Sequence, residues 1–161
     1  MRVKIENKKT NELVNAEILQ IKNLSELPLK KSGWSFNWQK LYKEKGYFYK
    51  LVLENNFDEV QGVMKFSIKN NEMVYLENIE IAPHNIGSNG KYDLVAGSLL
   101  AYCCKQSFIL GKNSYIGIVV FDSKTVLIDF YKEKYGATLL FGRRMCFYPD
   151  NSQKLINKYL K

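Results

Sequence analysis

Few side chains in this sequence are equipped for chemistry, and their types narrow the choices. There is one histidine, His84. A histidine-rich metal site and any mechanism needing two histidines are thereby excluded. Three cysteines, Cys103, Cys104 and Cys146, are an odd number. Cys103 and Cys104 are adjacent in a predicted helix, where neighbouring side chains diverge. A disulfide framework is therefore not expected, and a reducing cytoplasm suits the chain better. A zinc site would need all three cysteines plus His84 without the usual paired spacing, so no metal is expected. Buried cysteine in mid-helix is ordinarily packing. Carboxylates and a phenol remain. Glu77 and Glu80 stand at opposite parity in an alternating segment, on opposite faces of a strand. Tyr131 lies among Leu127, Ile128 and Phe130 in an amphipathic segment. That setting is the place of a core aromatic.

The net charge is +8, from 24 basic and 16 acidic groups, and it is unevenly spread. Residues 1–50 carry 11 basic and 5 acidic groups, residues 51–100 carry 3 and 7, and residues 101–161 carry 10 and 4. Basic ends around an acidic middle suit an anionic ligand beside local carboxylates. Only Arg2, Arg143 and Arg144 are arginine. Base and phosphate readers favour arginine forks, so the charge by itself does not select a nucleic-acid partner. An aromatic share of 14% argues against disorder. No apolar run approaches the ~18 residues of a membrane span, so no membrane association is expected. The N-terminal segment lacks the apolar core of a secretory signal.

These side chains need elements to position them. Val3–Ile5 and Leu13–Ile21 read as strands around a turn at 7–11. Residues 24–45 are irregular, with Ser25 as a cap and a partly helical stretch carrying Trp34, Phe36 and Trp38. Tyr47–Leu53, Val60–Ile68 and Met73–Ile81 read as a three-strand meander with turns at 55–58 and 69–72. After a loop at 83–90, a long apolar helix is predicted over 92–110, stopped by Gly111. A buried strand over 115–121 follows. Next comes a helix over 125–135, capped by Asp122 or Ser123 and closed by Gly136. A hairpin with Gly142 at its turn and a C-terminal helix end the chain. The fold class is α/β of the α+β kind: a mixed, mostly antiparallel central sheet with a strand–helix–strand–helix unit. Residues 73–81 and 115–121 form a locally parallel pair joined by a right-handed crossover. One domain over 1–161 is expected, with an N-terminal hairpin at 1–21 and a short C-terminal helix at 151–161.

Two segments within this order resemble the GNAT superfamily of acyl-CoA-dependent N-acetyltransferases, over roughly residues 47–148. Tyr75-Leu76-Glu77-Asn78-Ile79-Glu80-Ile81-Ala82-Pro83 looks like the family's fourth strand. Leu127-Ile128-Asp129-Phe130-Tyr131-Lys132-Glu133-Lys134-Tyr135-Gly136-Ala137 looks like its late helix. The stretch 82–87, followed by Lys91-Tyr92-Asp93, resembles a bacterial GNAT-like group more narrowly.

The resemblance implies acetyl-CoA as co-substrate and direct attack on it by an amine. The fourth and fifth strands of the family splay apart, and pantetheine pairs with the fourth. That role would fall to the backbone of Ile79, Glu80 and Ile81. The phosphate loop, Arg/Gln-x-x-Gly-x-Gly/Ala, maps onto Lys91, Tyr92, Asp93, Leu94, Val95 and Ala96. Lys91 keeps the charge and Ala96 is allowed, but Leu94 replaces a glycine. Amides at a helix start attract phosphate whatever the side chains. Asp93 would oppose it. Glu77 would be the general base on the acceptor amine, in preference to Glu80. Tyr131 would protonate the leaving thiolate. Lys124 or Ser123 stands where the family often has asparagine, so Lys124 is the expected contact there. Trp34 and Trp38 fall where the family builds its acceptor wall, or they cap the sheet. His84 is either a cofactor or acceptor contact or a solvated loop residue. The acceptor is a small molecule or a protein, and the chain a monomer or homodimer. Two other readings stand beside this one: a non-catalytic binding module, and an acetyltransferase directed at RNA such as aminoacyl-tRNA.

Overall fold

The computed structural model describes residues 1–161. Nine strands hydrogen-bond in the order β6-β1-β2-β3-β4-β5-β7-β9-β8. In chain order they are β1 (Arg2–Asn7), β2 (Leu13–Gln20), β3 (Tyr47–Leu53), β4 (Asn56–Lys69) and β5 (Met73–Ile81). Then follow β6 (Tyr92–Asp93), β7 (Val119–Asp122), β8 (Thr138–Phe141) and β9 (Arg144–Phe147). The helices are α1 (Trp38–Leu41), α2 (Val95–Leu110), α3 (Ile128–Tyr135) and α4 (Pro149–Tyr159). The sheet is mixed and mostly antiparallel, with β5 and β7 parallel, as the sequence predicts. No helix is long and apolar enough to cross a membrane.

The chain divides into two compact units: Met1–Lys65 with Asn78–Leu99, and Phe66–Glu77 with Leu100–Lys161. In the first, β1 pairs with β2 and β2 with β3, both antiparallel. Its core gathers Ile21, Leu27, Trp34, Trp38, Phe48, Val63 and Ala82. Phe36 stands edge-on to Trp38 at 5.7 Å between ring centroids. The irregular stretch 24–45 thus folds by delivering its aromatic rings to one cluster, not by regular periodicity. Asn23, not Ser25, begins its first turn, and Glu26 reaches back to the Lys22 and Asn23 amides.

In the second unit, Asn70 and Asn71 both take positive φ in the tight turn from β4 to β5, a type I′ geometry that asparagine tolerates. The parallel ladder covers Val74↔Val119, Tyr75↔Val120 and Leu76↔Phe121 and ends there. Phe121 packs on Phe147 at 5.2 Å and on Tyr131 at 5.0 Å. Asn151 Nδ2 donates to the Gly136 carbonyl, tying α4 to the end of α3.

Several boundaries differ from expectation, each for a local reason. The turn before β4 is shorter than expected, and Asn56–Asp58 already belong to the strand. The long helix begins at Val95 rather than Tyr92, because Tyr92 and Asp93 pair with Asn7 and Glu6 as an edge strand. The strand over 115–121 shrinks to β7. Gly117 at φ +81° turns the chain, and a Cβ there would lie 2.5 Å from the Phe108 ring. Asp122 and Ser123 do not cap the next helix: Asp122 is engaged by Tyr75 and Arg144, and the Ser123 hydroxyl donates to the Lys124 carbonyl. Residues Thr125–Leu127 form a tighter turn, and α3 starts at Ile128. The last helix starts earlier than 151, because Pro149 at its first turn needs no amide partner.

Candidate functional site

The first unit builds the start of α2, beginning with a clamp on the loop that leads to it. Asn85 is buried, and its Nδ2 donates to the Gln61 carbonyl and to Gln61 Oε1 at 3.2 and 3.0 Å. Its Oδ1 accepts from the Tyr92 amide at 3.0 Å. Gln61 is fully buried in β4 and donates to Glu59. Two buried amides thus join β4 to the loop, each polar group matched. His84 Nε2 lies 2.8 Å from the same Gln61 Oε1. That oxygen already accepts from Asn85, so the network puts the imidazole proton on Nε2 and leaves Nδ1 as an acceptor. Burial pushes the His84 pKa down, Glu59 opposes this, and Lys91 adds to it.

Lys91 is exposed, its amide bound to the His84 carbonyl and its carbonyl to the Lys8 amide. Leu94 then takes φ +71°, a left-handed conformation rare for leucine. Its amide donates to Asp93 Oδ1 at 2.7 Å, and its carbonyl accepts the first helical bond, from Ser98, at 3.0 Å. The amides of Val95, Ala96 and Gly97 precede that bond and have no acceptor inside the helix. They point along a helix of 16 residues whose dipole favours an anion there. Behind them, Gly62 of β4 permits close packing. A Cβ on it would meet Val95 Cγ1 at 2.8 Å and Leu99 Cδ1 at 2.9 Å.

Ile79, Glu80 and Ile81 form the last part of β5, each half-buried. Glu80 Oε1 accepts from the Phe36 amide at 3.1 Å and from Trp38 Nε1 at 2.9 Å, while Oε2 accepts from the Ser35 amide. The carboxylate is therefore a tether for the segment 35–38 rather than a surface group. Trp38 has no exposed surface and Trp34 has little, so both act from the core side. An acceptor wall would have to present other atoms of that segment.

The second unit holds Glu77, Tyr131 and Lys124. Glu77 Oε1 lies 3.6 Å from Lys69 Nζ, and the side chain is 20% exposed. Tyr75 donates to Asp122 Oδ2 at 2.6 Å. Arg144 grips the same carboxylate through Nε and Nη2 at 3.1 and 3.2 Å. The hydrogen bonds from Arg144 and then Tyr75 hold the Asp122 carboxyl below its ordinary value. Burial, with Asp122 beside it, pushes the Tyr75 phenol to about 12. Tyr131 rests on Phe121, Phe130 and Tyr135, and burial raises its pKa, keeping the phenol protonated at neutral pH. Phe130 is the more exposed of the pair, so Tyr131 and not Phe130 is the ring packed in this cluster. Lys124 is exposed at the turn before α3. Cys103 and Cys104 are buried thiols with raised pKa, Cys104 to about 12, and are poor nucleophiles.

Gln61, Asn85 and Gly62 escaped the sequence reading, as did the Tyr75–Asp122–Arg144 group. The signal for the first was present: a glutamine–glycine pair inside an apolar strand marks a buried polar partner and a close approach. Nothing in the spacing links Tyr75 to Asp122 or Arg144.

No protein-family model matches this sequence, and no curated protein matches it. Solved structures do. The KacTA–DNA complex superposes with a TM-score of 0.61 at 10% identity, over 88% of this chain and 98% of that one. AtaTR bound with acetyl-CoA gives 0.61 at 14%, over 87% and 97%. A GNAT family acetyltransferase from Elizabethkingia anophelis with acetyl-CoA bound gives 0.54 at 15%, over 78% of each. The chain therefore has the GNAT-type fold that its two motifs suggest.

Proposed function

We propose that the chain is an acyl-CoA-dependent N-acetyltransferase that passes an acetyl group from acetyl-CoA directly to an amine. The observation that carries this is the backbone at Leu94. The family keeps glycine there for its conformational freedom, and leucine here adopts the left-handed conformation itself. The amides of Val95, Ala96 and Gly97 then stand ahead of the first helical bond, as a pyrophosphate requires. Lys91 adds charge to that end, Tyr92 fixes the loop through Asn85, and Lys124 is a second cation for the phosphates. The backbone of Ile79, Glu80 and Ile81 offers a strand to the pantetheine arm. Acetyl-CoA, when bound, supplies an activated acyl thioester.

Glu77 takes a proton from the acceptor amine, directly or through water. Glu80 is less suited, since donors already occupy both its oxygens. Tyr131, protonated at neutral pH, returns a proton to the leaving thiolate. The segment 35–38, held by Trp34 and Trp38 from the core, shapes the acceptor side.

Calorimetric titration with acetyl-CoA beside free CoA tests this reading. Micromolar binding of both, followed by turnover with an amine that Tyr131→Phe or Glu77→Gln suppresses, is expected. A second reading, a binding module without catalysis, draws on Asp93, whose carboxylate sits on the Leu94 amide and opposes a phosphate. Absence of heat at millimolar acetyl-CoA would favour it.

A further inference from the structure

β8 is the last strand of the sheet order, bonded only to β9. Its four residues, Thr138 to Phe141, are all exposed, on both faces of the pleat. Leu139 is 39% exposed, Leu140 42% and Phe141 68%. Natural edge strands are ordinarily blunted by short length, a bulge, lysine, proline or an inward charge, because their open N–H and C=O row templates another strand. β8 is four residues long and has a register shift between Leu139 and Phe141, but it carries no lysine, proline or inward charge, and its apolar side chains stay exposed. Leaving such a row open costs aggregation risk, which argues for an occupant. In antiparallel pairing alternate residues aim their backbone groups away from the partner, so part of the strand offers donors and acceptors outward.

The flanks say what the occupant carries. Lys132 and Lys134 on α3 lead into the strand, and Arg143 follows it; all three are exposed. Only Glu133 among the exposed residues of 131–143 is acidic. Arg144 is already spent on Asp122. We propose that the open edge of β8 receives an extended peptide strand of another protein, apolar in its middle and acidic at its ends. A second copy of this chain is the poorer occupant, since a net charge of +8 would set like charges together.

The test uses the full chain and a labelled peptide of about eight residues, alternating valine and leucine between glutamates at both ends. A control peptide carries lysines there instead. Fluorescence anisotropy reads affinity, and hydrogen exchange reads the amides of Leu139 to Phe141. The acidic-ended peptide should bind, slow exchange at those amides, and exceed the control by about tenfold or more. Leu140→Lys and Phe141→Lys, both at exposed positions, should each weaken binding with unchanged melting. Equal affinity for the two peptides, binding without protection of β8, or no binding at millimolar peptide would overturn the proposal. So would a sedimenting dimer whose β8 amides are already protected.

Discussion

A carboxylate whose two oxygens accept from three donors has little lone-pair density left for an incoming amine. Glu80 is in that position, and Glu77 is not an alternative of the same kind, because its Oε1 faces Lys69 at 3.6 Å. The two glutamates should therefore separate by measurement. Glu80→Gln places an amide donor against N–H groups and should lower stability by about 1–3 kcal/mol, visible in thermal melting. Glu77→Gln should leave melting close to that of the parent while lowering kcat by about 10²–10⁴. The reverse pattern would remove Glu77 from the mechanism. His84 gives a cleaner reading, since no other histidine competes for the signal. Its folded pKa lies below the ordinary value of 6.5. The folded state thus binds its proton less readily than the unfolded chain does. The stabilisation is complete above about pH 6.5 and declines as pH falls through the folded value. An NMR titration of the imidazole should have its midpoint below 6.5, and Gln61→Ala should change the tautomer balance. A midpoint at or above 6.5 would contradict the buried network.

At the scale of elements, the start of α2 depends on two residues that pull in different directions. Leu94 holds an αL conformation that costs a non-glycine residue about 1 kcal/mol or more. Leu94→Gly should relieve this and keep or raise affinity for acetyl-CoA, whereas Leu94→Pro, with φ fixed near −65°, should lose it. Equal affinities across the three would detach the loop from cofactor binding. Gly62 is the opposite case, where a side chain is excluded by space. Gly62→Ala should cost about 1–3 kcal/mol, because Val95 and Leu99 are buried and cannot easily yield. A melting temperature unchanged by Gly62→Ala would show that α2 is free to shift. These two residues also mark what a sequence can disclose. The meander and the β5–β7 parallel pair were legible because alternation and turn asparagines act over a few residues. The start of α2 was not, since Tyr92 and Asp93 pair with residues of β1 far away in sequence. Periodicity cannot register such a partner. In the candidate site, Glu77 and Tyr131 could be singled out through motif position. The Asn85–Gln61 clamp shows in the sequence only through the glutamine–glycine pair inside an apolar strand, and its Asn85 half is revealed by burial alone.

For the molecule as a whole, the two tryptophans have a consequence that concerns observation rather than catalysis. Trp34 and Trp38 are the only ones in the chain, and both lie in the core of the first unit. Trp38 is fully buried with its indole N–H bonded to Glu80. Nature has in effect placed a fluorophore in one half of the protein and left the other half dark, lit only by tyrosine. Selective excitation of indole then follows unfolding of the first unit alone, while far-UV circular dichroism follows both. Coincident transitions by the two probes in urea are the expected behaviour of one cooperative domain. An indole transition that precedes or trails the dichroism would show the units melting separately, and added acetyl-CoA would then move the indole curve first.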